Sequence, residues 1–155
     1  MTTPTAATTF SVAGIDPAEA DRLRAAGGVT YVADEKPGFP CRQCLRDAEI
    51  GEEMILVSYD PFEESSPYRS ASPIFLHASS CTACDDADGL PEQLTCRNLS
   101  VRGFDRAAMM QDGVVIDGRD LHATINDLFT NPAIEYLHVH NAGRGCWAAK
   151  IRRAG

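Results

Sequence analysis

The chain has 155 residues, an apolar share of 44%, a charged share of 23% and a formal net charge of −8. This length suits a single domain that buries roughly two-thirds of its unfolded surface, and the composition is that of a soluble globular protein. The acids are spread along the chain, which argues against a broad nucleic-acid or anionic-membrane surface, since both favour clustered Lys and Arg.

In chain order, residues 1–9 are small, polar and threonine-rich and read as a disordered tail. Phe10–Ile15 suits a short strand. Asp16 followed by Pro17 is a helix start, with Asp16 as N-cap, and Gly27-Gly28 ends that helix near Ala26. Val29–Ala33 alternates as a strand, and Lys36–Pro40 breaks regular structure before the first cysteines. Two apolar runs follow, Met54–Tyr59 and Pro73–Leu76. The continuous Met54–Val57 segment suggests a strand buried on both faces. The polar, proline-marked stretch Asp60–Ala71 between the runs reads as an exposed loop. A second loop begins at Asp85; its acids lack the spacing and closing glutamate of an EF-hand. Leu94–Phe104 reads as a strand, Asp105–Met110 as a helical turn and Val114–Ile116 as a short strand. Leu121, Ile125, Leu128 and Phe129 follow helical spacing, predicting a helix over Arg119–Thr130 that Asn131-Pro132 stops. Ile134–His140 and Cys146–Ile151 form a hairpin around Asn141–Gly145.

Six cysteines stand in the sequence. No apolar stretch approaches the roughly 20 residues of a membrane span. The N-terminus lacks the charged and apolar regions of a secretory signal, so a cytoplasmic location is expected. Thiols stay reduced there, and clustered cysteines more often bind metal or do redox chemistry than form disulfides. Cys41 and Cys44 form a Cys-x-x-Cys pair. His77, Cys81 and Cys84 lie beyond the two apolar runs. Antiparallel pairing would carry the chain out about 20 Å and bring it back, delivering four soft donors to a tetrahedral zinc. Two ligand sets are open: Cys41, Cys44, Cys81 and Cys84, the stronger on spacing alone, or Cys41, Cys44, His77 and Cys81. Redox use of Cys41 and Cys44 fits less well, because a thioredoxin-type pair wants a helix start in a βαβ context. Cys96 stands alone and reads as core.

A second constellation spans Tyr136 to Cys146. On a strand, Tyr136, His138 and His140 share one face. With Cys146 they are candidate catalytic groups for a hydrolase-like or thiol-dependent enzyme. Asn141 and Arg144 in the glycine-rich turn, with Arg102, are candidates for holding a small anion. The plainer reading is two structural histidines beside a tight turn. His122 occupies a polar helix position.

The Cys-x-x-Cys pair followed by Ile-Gly-Glu and a hairpin resembles a treble-clef zinc finger. The Phe-Leu-His77-x-x-x-Cys81 ending is similar to the Cys/Cys/His/Cys fingers of poly-ADP-ribose polymerases, although the acidic charge discourages carrying DNA binding over. The segments PCRQCLRDA, SYDPF, SPYR, PIFLH with Cys81, LSVRGFD and YLHVHNAGRGCWAA resemble a bacterial family of small proteins catalogued as a domain of unknown function. That resemblance implies the Cys41, Cys44, His77, Cys81 set, because the family pattern gives Cys84 no partner. The expectation is a single-domain α+β protein: an antiparallel sheet, two main helices and a zinc-stapled hairpin over residues 41–84. It is expected to bind a small anion or a protein partner, but neither nucleic acid nor membrane.

Overall fold

In a computed structural model of the chain, the described residues are 9–84 and 89–153. The expectations for residues 1–8 and for the acidic run at 85–88 lie outside them.

Alternating apolar residues build the larger of two antiparallel sheets. It contains β1 (Phe10–Ala13), β5 (Asn98–Phe104), β6 (Met110–Asp117), β7 (Tyr136–Asn141) and β8 (Trp147–Arg153), in the order β1-β8-β7-β5-β6. Leu99, Val101, Leu137, Val139, Ala149 and Ile151 fall on one face, and α3 (Leu121–Leu128) covers them with Leu121, Ile125 and Leu128. This is the main core. Its helix has the expected 3.6-residue spacing, with a 3-10 turn over Gly118–Asp120 replacing its expected first residues.

The smaller sheet holds β2 (Val29–Val32), β3 (Glu53–Tyr59) and β4 (Ser72–His77), in the order β2-β3-β4. The two apolar runs pair antiparallel as expected, with Met54 opposite His77 and Tyr59 opposite Ser72. Helix α1 (Pro17–Ala26) begins where Asp16 accepts the Ala18 N–H at 3.1 Å and ends at Gly27, whose φ is 89°. A second core joins α1, the small sheet and Trp147 of β8. Among the described residues, no helix is long and apolar enough to cross a membrane.

Several local expectations are corrected. The segment from Leu94 does not start as a strand: α2 (Glu92–Thr95) is a short helix, and pairing begins at Asn98. Pro91 at its N-cap presets the turn, and Leu94 reaches the core from the helix. Cys96 caps that helix and is exposed, not core. In β3 only Met54 and Val57 are buried, while Ile55 and Leu56 are partly covered, because a three-stranded sheet has little to lay over its second face. Residues 105–109 form a hairpin turn, not a helical one. There Asp105 accepts the Ala107 and Met109 N–H groups, and β6 extends back to Met110. The loop after β3 is not wholly exposed: Phe62 is buried against Phe104 and His138 of the large sheet, at ring separations of 5.2 and 4.9 Å.

Candidate metal centre

The first two sulfurs are held by a tight turn. Cys41 N donates to the Arg46 carbonyl and Leu45 N to the Cys41 carbonyl, closing residues 41–46 on themselves. Leu45 sits at φ 57°, a left-handed conformation costing a non-glycine residue about 1–2 kcal/mol. Its side chain is buried in the main core, which offsets that strain. The turn docks on β4, where Cys41 bridges Phe75 and Arg42 N donates to the Phe75 carbonyl at 2.9 Å. Two residues further along the same strand comes His77. Gly14 lies against the other side: a Cβ there would stand 2.4 Å from the Arg42 carbonyl oxygen and 2.6 Å from that of Gln43.

This arrangement brings Cys41, Cys44, His77 and Cys81 together, with one donor atom from each lying within 4.8 Å of the others. Cys41 and Cys81 sulfurs are 3.6 Å apart, and Cys44 Sγ is 3.8 Å from His77 Nδ1. A tetrahedral ion with bonds of about 2.0–2.3 Å separates its ligands by about 3.5–3.8 Å. Those two separations fall in that range, and the cluster could hold a metal ion. Cys84 is not in the cluster; it packs against the main core.

A second layer orients these groups, and little in the sequence hints at it. Glu52 Oε2 lies 3.3 Å from His77 Nε2, which leaves Nδ1 facing the sulfurs. A hydrogen bond from the Glu49 backbone, with His77 nearby, holds the Glu52 carboxyl below its usual range. Arg24, in the last turn of α1, donates through Nε to the His77 carbonyl at 2.8 Å and through Nη2 to Gln43 Oε1 at 2.7 Å. The same Nη2 faces Cys81 Sγ at 3.8 Å. Gln43 Nε2 in turn donates to the Cys81 carbonyl at 2.8 Å. Among the thiols, the hydrogen bond from Cys44 lowers the pKa of Cys41, the same pairing raises that of Cys44, and burial raises Cys81. Helical spacing alone marks Arg24 as an ordinary basic residue near a helix end. Its role depends on how α1 crosses the small sheet.

The other site candidates lie elsewhere. His138 and His140 share a face of β7, as their spacing requires, and both are buried. His138 is ringed by Phe62, Phe104, Tyr136 and Trp147. Burial pushes its pKa down to about 3, and that of His140 to about 4. His140 Nδ1 donates to the Gly145 carbonyl at 2.9 Å. Cys146 and Asn141 are half-buried and Arg144 is exposed. In the Asn141–Gly145 turn the amides of Asn141, Ala142 and Gly145 donate to the carbonyls of Cys146, Asn98 and Asn141. Arg102 is half-buried on β5 and donates to Ser100 Oγ at 3.2 Å. His122 is exposed and stacks edge-on against Phe10.

No curated protein and no solved structure matches the chain. Residues 38–153 do match a family described as a protein of unknown function, DUF1203, and the chain belongs to that family.

Proposed function

We propose that the chain is a zinc-stabilised binding module in which Cys41, Cys44, His77 and Cys81 hold one structural zinc. The observation that carries this reading is the closed set of four donors with its own oriented outer layer. Three thiolates and one imidazole suit zinc in softness, and a fully ligated site leaves no position for a catalytic water. With three thiolates and a neutral imidazole, a zinc centre has a net charge of −1. The Arg24 guanidinium at Cys81 and Arg46, hydrogen-bonded to Cys44, supply the opposing charge. A carboxylate behind His77 is the usual partner of a metal-bound imidazole. The ion would tie the 41–46 turn to the end of β4, and both to α1 through Arg24.

What weighs against an enzyme built on His138, His140 and Cys146 is the burial of both histidines, His138 among four aromatic rings. Against thiol redox use of Cys41 and Cys44 stands their convergence with two further donors. The test combines elemental analysis with hydrogen exchange on protein made under reducing, zinc-replete conditions. One zinc per chain is expected. Cys44→Ser should lose it and speed exchange over residues 41–81 while α3 stays protected. Metal-free wild-type protein would refute the proposal.

A further inference from the structure

The face of the large sheet turned away from α3 carries a second set of polar groups that the metal centre does not use. Across β5, β7 and β8 the register sets Arg102, His138 and Lys150 side by side, and places Phe104, Tyr136 and Arg152 in the next row. A groove of about 850 Å³ opens between the start of α1, the chain after β3 and this face of β8. Tyr59, Phe62, Trp147, Lys150 and Arg152 are among the residues lining it.

Three side chains at this face are more than nine-tenths buried and yet carry polar atoms without a partner. They are the Tyr136 hydroxyl, both ring nitrogens of His138 and Nε1 of Trp147; of the three, Trp147 lines the groove itself and the other two lie behind Lys150 on the sheet. Buried polar groups are nearly always hydrogen-bonded, so such a group calls for an explanation. Lys150 is half-buried, with its ammonium 4.4 Å above the Tyr136 ring. Among the described residues, neither Lys150 nor Arg152 has a carboxylate within ion-pair distance. The other cations of the groove are matched, Arg22 with Glu19 and Arg69 with Asp60, and Asp16 caps α1. Glu63 also lines the groove, and with Glu64 it acts electrostatically on Lys150. Apart from one nitrogen of neutral His138 and the lone pairs of the Tyr136 hydroxyl, the unpartnered buried groups are donors, and beside them stand two cations with no carboxylate in ion-pair contact among the described residues.

We propose that this groove binds a small organic carboxylate, its anionic end held by Lys150 and Arg152 beside the Trp147 indole, its apolar body against Tyr59 and Phe62. The inference deepens the binding-module reading and rests on it, but it uses none of the four metal ligands. An aromatic and aliphatic lining favours an organic anion over a bare inorganic one, which would leave Tyr59 and Phe62 without a role. The electrostatics agree. Burial and then Arg152 lower the pKa of Lys150 although Glu64 and Glu63 act in the opposite direction, and burial and then Lys150 lower that of His138. An anion between these groups would relieve the repulsion.

Trp147 is the single tryptophan of the chain, so its fluorescence reads the groove directly. The zinc-loaded protein is titrated with phenylacetate and, separately, with inorganic phosphate. A saturable fluorescence change is expected with phenylacetate and a weaker response, or none, with phosphate. Lys150→Met and Arg152→Met should each weaken phenylacetate at least about tenfold while keeping metal content and melting temperature. Should Lys150→Met misfold, Arg152→Met, altered at an exposed position, decides alone. No saturable change with phenylacetate overturns the site, as does unchanged affinity in folded variants; tighter binding of phosphate overturns the organic-carboxylate assignment. Metal analysis of the same samples separates the two proposals: one zinc per chain without ligand binding sinks only the groove, whereas metal-free protein sinks the module.

Discussion

Replacing Arg24 by methionine isolates what the outer layer does for the metal. Methionine keeps most of the buried stem and removes every donor. The guanidinium serves the His77 carbonyl at 2.8 Å and Gln43 Oε1 at 2.7 Å, and the side chain is only 10% exposed. Each acceptor left dry costs about 1–3 kcal/mol. Water reaches this rim of the site, so a total near 2–3 kcal/mol is expected for the zinc-loaded fold. Loss of an outer partner lowers metal affinity by about 10–100-fold, equivalent to about 1.4–2.7 kcal/mol. The assay is competition for zinc against a chromophoric chelator, run beside thermal melting with and without the metal. Asp21→Ala is the control. It removes the exposed partner of Arg24, an ion pair worth at most about 1 kcal/mol, and should leave zinc affinity unchanged. If Arg24→Met binds zinc within about threefold of wild type, the reasoning that places Arg24 in the metal's outer layer is wrong.

Three further outcomes follow from the same geometry. Cys84→Ala should retain zinc while His77→Ala loses most of its affinity, as chelator competition would show; the reverse would reinstate the four-cysteine set. Gly14→Ala should destabilise the protein by about 1–3 kcal/mol and weaken zinc, because its methyl would press on the Arg42 and Gln43 carbonyls behind the cysteine turn. Melting and metal analysis check both effects, and a wild-type variant in each would refute it. His138 is held neutral by burial, with its folded pKa near 3 against an ordinary 6.5. Between those values the unfolded chain binds the extra proton, so stability is fully present above about pH 6.5 and falls as pH drops, by about 1.4 kcal/mol per unit for this group. His138→Phe should remove that share of the slope in denaturant titrations from pH 7 to 4.5, and an unaltered slope would contradict the burial argument.

Much of this was legible because it is local. The Asp16-Pro17 start of α1, the helical spacing of Leu121, Ile125 and Leu128, and the out-and-back path of β3 and β4 are each written within a few residues. The choice between His77 and Cys84 was not. Both lie within a short reach of Cys81, and only the register of Met54 against His77, with the turn docked on Phe75, puts the imidazole rather than the fourth sulfur at the cluster. Arg24 and Glu52 were illegible for the same reason, since their partners are set by how α1 and β3 meet the cysteine turn. The burial of Phe62 was not legible, because a serine- and proline-rich stretch says nothing about where one aromatic ring finds a cover. The large sheet's own row of Arg102, His138 and Lys150 needed three strands in register before it could be seen.

X-ray absorption at the zinc edge on the purified, reduced protein reads the proposed ligand set itself. One zinc per chain is expected, ligated by three sulfurs at about 2.3 Å and one nitrogen at about 2.0–2.1 Å. A four-sulfur shell would place Cys84 in the site, a shell with a water oxygen would mark an open catalytic centre, and absence of zinc would remove the centre altogether.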